Sequence, residues 1–142
     1  MKRYRIGYTQ GVFDMFHIGH LNLLNHAKEY CNYLIVGVNS DALVEHYKHK
    51  TPVIKEEIRR EIVSNIKAVD ECVIVATLDK ETAHDLYHFD AIFIGDDWKG
   101  NPRWEQTGHL LAERGVDLVF LPYTDSVNST VLRTKKDNRV EG

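Results

Sequence analysis

His17 and His20 stand three residues apart in the stretch Thr9–His20, TQGVFDMFHIGH. An apolar run, Tyr4–Tyr8, precedes this stretch, and the amphipathic pattern LNLLNHAKEY follows it. A strand therefore runs through a glycine-containing turn into a helix start. With both imidazoles in the first helical turn, they share one face. Gly19 between them adds no side chain, so another molecule can approach the backbone closely. Unpaired N–H groups at a helix N-terminus favour anions, and two imidazoles added there suit phosphate groups. The spacing alone leaves two other readings open. One is a metal site, for which Asp14 is the only acidic group nearby and no Cys is close in sequence. The other is a pair of plain surface histidines in a chain with 8 His.

These residues must be held by a framework, and 142 residues suffice for one domain, 1–142, with a real core. Hydrophobic content of 43% and charged content of 27% are ordinary for a globular protein. A net charge of −3 argues against broad binding to nucleic acid. No apolar run reaches the ~18 residues of a membrane span, and the N-terminus shows no signal-peptide core. A cytoplasmic location without a membrane partner is expected. Cys31 and Cys72 lie near apolar runs and read as buried free thiols.

Apolar runs alternate with helical patterns. Strands are expected at Tyr4–Tyr8, Tyr33–Val38, Glu71–Ala76, Ala91–Gly95 and Asp117–Leu121. Between them, helices are expected over Ile18–Tyr30, from a cap at Asn39–Asp41 to about Tyr47, over Lys55–Val69, and over Asp79–Tyr87. Another helix starts at Asn101-Pro102 and stops at Gly115, and a last one spans Thr130–Lys136. In the third helix, Ile58, Ile62 and Ile66 form a stripe that should face the core, with Arg59 off it. The alternation predicts an α/β, Rossmann-like, doubly wound five-stranded parallel sheet with helices on both faces. Ligands in such sheets lie at the carboxyl ends of the strands. Three polar segments fall there: GVFDMFHIGH, GDDWKG and PYTDSVNST.

GVFD followed by HIGH resembles the HxGH signature of the nucleotidyltransferase α/β-phosphodiesterase superfamily. Within it the chain is most similar to the small cytidylyltransferases, above all those acting on glycerol 3-phosphate. The resemblance runs from about Tyr4 to Arg133. It includes GDDW at Gly95–Trp98 and a variant of the late motif RTEGISTT, here Tyr123-Thr124-Asp125-Ser126-Val127-Asn128-Ser129-Thr130.

The resemblance implies that a phosphate oxygen of a small phosphorylated acceptor attacks the α-phosphorus of CTP, giving a CDP-linked product and pyrophosphate. His17 and His20 would donate hydrogen bonds to phosphate oxygens in the transition state. Lys48 would bind the acceptor phosphate and Lys50 the triphosphate, and Lys50 joins the histidines as a catalytic group. Gly11, Val12 and Phe13 would line the nucleotide pocket, and Asp97 would accept from the cytosine amino group. Trp98 would either meet the nucleoside or pack. Asp14 and Arg59 would serve the acceptor side, Asp14 by orienting a histidine or the loop and Arg59 near the phosphates, with Arg60 beside it the alternative inward residue. The segment Tyr123–Thr130 would hold the β- and γ-phosphates at the start of the last helix. Magnesium would be held through the triphosphate rather than by a protein cage, and a homodimer is implied. The chain departs from the pattern at Tyr123 for arginine, Ser126 for glycine, Asn128 for serine and Val12 for threonine. These changes bear on acceptor and base selectivity. Two other functions therefore stay open: an adenylyltransferase of the same superfamily, and a non-catalytic nucleotide-binding module.

Overall fold

The structure, a computed structural model, describes residues 2–122. Five strands form one sheet in the order β3-β2-β1-β4-β5, all parallel. They are β1 (Tyr4–Gly11), β2 (Cys31–Asn39), β3 (Glu71–Val75), β4 (Ala91–Gly95) and β5 (Asp117–Leu121). The connecting helices are α1 (Ile18–Tyr30), α2 (Asp41–Lys48), α3 (Glu56–Ser64), α4 (Lys80–Tyr87) and α5 (Pro102–Ala112). The sequence predicted this architecture and the bounds of α1. The last helix and the late motif lie outside the described residues. Among the described residues, no helix is long and apolar enough to cross a membrane.

Alternation along the strands sends side chains to two cores. On one face, Leu23, Leu24 and Ala27 of α1 and Val63 of α3 pack with Leu34, Val36 and Val38 of β2 and Phe93 of β4. On the other, Ala83 of α4 and Trp104 and Leu111 of α5 pack with Tyr8, Ile35, Ile92 and Ile94. Each fully buried aliphatic side chain contributes about 1.5–3 kcal/mol. Helix ends follow local chemistry. Ser40 caps α2, Asp79 caps α4, and Asn101 caps α5 with Pro102 in its first turn. Gly115, at φ 79°, takes the left-handed turn after α5.

Three expectations are corrected. β1 continues past Tyr8 through Thr9, Gln10 and Gly11, because neighbouring groups satisfy its buried polar side chains. α3 ends at Ser64 and is followed by tight turns, with Asn65 N–H bonded to Ile62 O and Ile66 N–H to Val63 O. On α3 the inward stripe is Arg59 and Val63, whereas Ile58 and Ile62 are 54% and 38% exposed. Only Ile66, beyond the helix, packs against the core. Arg59 takes the inner position because four hydrogen bonds await its guanidinium there.

β1 and β4 pair only at Gly7–Ala91 and Tyr8–Ile92. Beyond that point β1 stays with β2, and β4 stays with β5. The strand order reverses across this boundary, and in such sheets that is where the ligand crevice lies, at the carboxyl ends. The Thr9 hydroxyl bonds Phe93 O at 2.9 Å and fixes its floor.

Lys80, in the first turn of α4, is 4% exposed. Its ammonium donates to Leu78 O at 2.6 Å and lies 5.3 Å from the Trp104 ring centre. Burial, with Arg103 nearby, pushes its pKa down to about 7, against a partial pull upward from Asp79. The unfolded lysine keeps its proton to about pH 10.4, so the unfolded chain binds more protons above pH 7. Stability therefore rises with pH through this window. Urea titrations at pH 7 and 9 should show a rise in wild type that is largely absent in Lys80→Met.

Candidate active site

Residues 12–17 link β1 to α1 across the crevice floor. Phe13 and Met15 both adopt left-handed backbone, with φ 54° and 50°. Neither is glycine, so the turn carries local strain. Burial of the Phe13 ring and the contacts of Asp14 offset it. Asp14 accepts from the backbone N–H of Val53 at 2.7 Å and of Ile54 at 2.9 Å. Its carboxylate thus ties the turn to the loop that carries Lys50. The expectation of a loop-orienting role for Asp14 fits this geometry.

The histidines form a capping box at the start of α1. His17 is the N-cap, and its Nδ1 accepts from Gly19 N–H at 3.0 Å. His17 N–H in turn donates to His20 Nδ1 at 3.1 Å. Serine and glutamate commonly fill these two positions. The rings lie 4.0 Å apart, inclined by 30°. Each Nδ1 accepts from a backbone donor, so each neutral ring carries its proton on Nε2. Phe13 and Phe16 pack on His20 at 5.4 and 5.2 Å and hold it in place. Nδ1 of each ring caps the helix, and Nε2 of each neutral ring is a donor.

Arg59 is 1% exposed. Its Nε donates to Ile54 O, and one terminal nitrogen donates to both Val12 O and Asn39 O, all at 2.8 Å. The other terminal nitrogen pairs with Asp41 Oδ1 at 2.6 Å. The guanidinium is committed to protein acceptors. Asp41 and Glu56 then bond each other's backbone N–H and draw together the starts of α2 and α3.

Lys48 ends α2 with its ammonium 5.9 Å from the Tyr47 ring centre, and Lys50 follows in the exposed loop beyond His49. Asp97 is exposed on a 3-10 turn, Asp96–Trp98, after β4, on the other bank of the crevice. Trp98 packs on the core beside it, with Arg103 over its ring. Gly11 and Val12 close β1 and enter the turn. Asp14 joins the turn after β1 to residues 53–54 of the basic loop, and Asp97 follows β4, the neighbour of β1 in the sheet. Tyr123–Thr130 lies outside the described residues. No cluster of three or more His, Cys, Asp or Glu suited to a metal occurs among the described residues.

Sequence reasoning missed a polar network at the carboxyl ends of β1 and β2. Tyr8 Oη donates to Gln10 Oε1 at 2.5 Å, and Gln10 Nε2 donates to Asn39 Oδ1 and Thr77 O. Asn39 Nδ2 donates onward to Tyr47 Oη at 3.1 Å. A Cβ at Gly37 would fall 2.5 Å from Tyr8 Oη, so only glycine leaves room for this hydroxyl. The signal was present: Gln10 and Asn39 are the polar residues that end two apolar strands.

The model of the cytidylyltransferase-like family matches residues 8–139. The chain belongs to this family. A glycerol-3-phosphate cytidylyltransferase from Bacillus spizizenii is 33% identical to this cytidylyltransferase-like chain over 130 residues, covering 91% of this chain and 93% of that one. The bifunctional protein HldE of Rhodopseudomonas palustris is 45% identical over 80 residues, which are 56% of this chain and 16% of that much longer protein. The crystal structure of a lipopolysaccharide core biosynthesis protein from Thermoplasma volcanium superposes with a TM-score of 0.74 at 25% identity. It covers 86% of this chain and 99% of that one. The chain is thus a nucleotidyltransferase-type α/β protein in both sequence and fold.

Replacing Arg59 with Met would leave the carbonyls of Val12, Asn39 and Ile54 without a donor and Asp41 without its cation. Loss of one partner of a buried ion pair costs about 3–5 kcal/mol. Urea unfolding of Arg59→Met should show a loss of that order. Arg59→Lys should rescue it only in part, since an ammonium cannot span four acceptors in a fork.

Proposed function

We propose that the protein transfers CMP from CTP to a small phosphorylated alcohol or polyol, with glycerol 3-phosphate the first acceptor to try. An acceptor phosphate oxygen forms a bond to the α-phosphorus of CTP, and the bond to the β-phosphate oxygen breaks to release pyrophosphate. The single observation that carries the reading is the histidine capping box, which fixes both imidazoles through Nδ1 at a helix N-terminus and so puts the proton of each neutral ring on Nε2. Charge building on the phosphoryl oxygens is stabilised there by fixed donors.

In this reading His17 and His20 hold the transferring phosphate, and Lys50 the triphosphate. Lys48 meets the acceptor phosphate. Val12 and Phe13 offer backbone to the nucleotide, their side chains being buried. Asp97 takes the cytosine amino group, and Tyr123–Thr130 would hold the β- and γ-phosphates. Magnesium would arrive with the triphosphate and would supply charge neutralisation. Two copies pair, a reading supported by the apolar faces of Ile58 and Ile62 left exposed on α3. A cytoplasmic site of action suits a CTP-dependent reaction.

Tyr123, where the cytidylyltransferase motif has arginine, favours a second reading, AMP transfer from ATP. Pyrophosphate release should be measured with CTP and with ATP against a panel of phosphorylated acceptors. Turnover with CTP is expected, and turnover with ATP alone selects the second reading. Binding of CTP without turnover on any acceptor points to a non-catalytic module. His17→Asn keeps a capping oxygen for Gly19 N–H but lacks the Nε2–H donor. It should lose about 10²-fold or more in kcat while CTP affinity and thermal stability stay near wild type.

A further inference from the structure

The basic loop after α2 is folded back on its own helix. His49, which caps α2, takes left-handed backbone at φ 59°, and its N–H donates to Glu45 O. Thr51 Oγ1 donates to Glu45 Oε2 at 3.3 Å. Asp14 holds the far end of the loop through the N–H groups of Val53 and Ile54. The backbone around Lys48 is thereby placed, and what is left to orient is a flexible four-carbon stem with a compact charge at its end.

Tyr47 lies beside that stem. The Lys48 ammonium is 5.9 Å from the centre of the Tyr47 ring, within reach of a cation–aromatic attraction. Successive residues on a helix point about 100° apart, so the contact does not follow from their being neighbours in sequence. The ring is itself pinned. Tyr47 Oη accepts from Asn39 Nδ2 at 3.1 Å, and Asn39 Oδ1 accepts from Gln10 Nε2 at 2.9 Å. The same Gln10 nitrogen donates to Thr77 O. Asn39 and Gln10 are buried near the carboxyl ends of β2 and β1, so the sheet fixes the ring. An aromatic face attracts an ammonium without cancelling its charge, whereas a carboxylate in that place would compete with an incoming phosphate.

We propose that Tyr47 is a positioning residue for phosphate binding by Lys48. Its ring sets the direction of the ammonium, so a phosphomonoester meets a lysine whose rotamer freedom is already restricted. This rests on Lys48 as the acceptor-phosphate group in the proposed CMP transfer.

Binding of methyl phosphate to the full chain, followed through the Lys48 ε-methylene NMR resonances, tests it without any need for turnover. Tyr47→Phe and Tyr47→Leu both lose the hydroxyl bonded to Asn39, and only the second loses the ring. The ring should displace the Lys48 ε-proton resonances upfield in wild type and Tyr47→Phe, and the displacement should vanish in Tyr47→Leu. Tyr47→Leu should bind methyl phosphate about two- to fivefold more weakly than wild type, the usual worth of such a contact at a partly exposed site. Tyr47→Phe should stay near wild type, and CTP affinity should be unchanged in both. Equal methyl phosphate affinities in wild type and Tyr47→Leu would overturn the proposal. So would an equal loss in both variants, which would assign the effect to the hydroxyl, or a matching loss of CTP affinity, which would mean general loosening of the site. Lys48 resonances that ignore methyl phosphate in wild type would overturn it together with the role given to Lys48. A failure of CTP turnover would sink the reaction reading yet leave this binding result legible.

Discussion

The buried guanidinium of Arg59 is the constraint on which the site depends. Three carbonyls from three separate segments, at Val12, Asn39 and Ile54, converge on it, and Asp41 balances its charge. Removing such a cation from water is costly, and only a planar fork with several donors recovers that cost at once. The acceptors belong to the turn before α1, the end of β2 and the loop before α3. Asp14 ties two of these segments together again, using N–H donors where Arg59 uses carbonyls. The two bonding patterns are complementary, so the turn and the loop cannot move apart without losing both. Phosphate-binding groups on flexible loops would give up much of their effect to reorganisation. Here the loops are fixed before any ligand arrives.

The same economy governs the histidines. A helix N-terminus needs acceptors for its first N–H groups. Glutamate would satisfy that need but has no donor, and serine would offer only a freely rotating hydroxyl. Imidazole offers an acceptor and a donor on opposite sides of one ring, so capping α1 also decides the tautomer. The strain at Phe13 and Met15 belongs to this arrangement. The turn must enter α1 with His17 extended at φ −139°, and Phe13 buries its ring against His20 as it does so.

Hydropathy made the sheet legible, because the central strands are apolar on both faces and read as continuous runs. Caps made the helices legible, through Ser40, Asp79, Asn101-Pro102 and Gly115. What stayed hidden is polar. A periodicity count assigns Ile58 and Ile62 to the core and cannot register that Arg59 has four acceptors waiting inside. Strand β1 reads as ending at Tyr8, because Thr9 and Gln10 look like loop residues until their partners Phe93 O, Asn39 and Thr77 O are known. Left-handed turns are signalled by glycine or asparagine. This chain places Phe13, Met15, His49 and His88 there instead. The HIGH and DDW segments were legible as parts of one edge, since the order of elements alone sends both to the carboxyl ends of their strands, whereas KHK was singled out only through the family resemblance. The network that supports them was not, as its members lie in four different elements and loops.

Thr9, Gln10, Asp14, His20, Asn39, Ser40, Arg59 and Lys80 are the buried polar or charged side chains among the described residues. All of them sit at the carboxyl ends of strands or in the first turns and approaches of the helices that follow. Chance would scatter such costly burials over both edges of a sheet. Apolar packing along the sheet faces needs none of them, and each is destabilising unless its partners are in place. Concentrating them on one edge confines local violations of hydrophobic pattern to the place where directional groups are useful. The apolar layers of α1, α3, α4 and α5 can then supply the stability that this edge consumes. The sheet thus separates two tasks by geometry: its faces hold the chain together, and its carboxyl edge holds a set of donors and acceptors in fixed positions for phosphate chemistry.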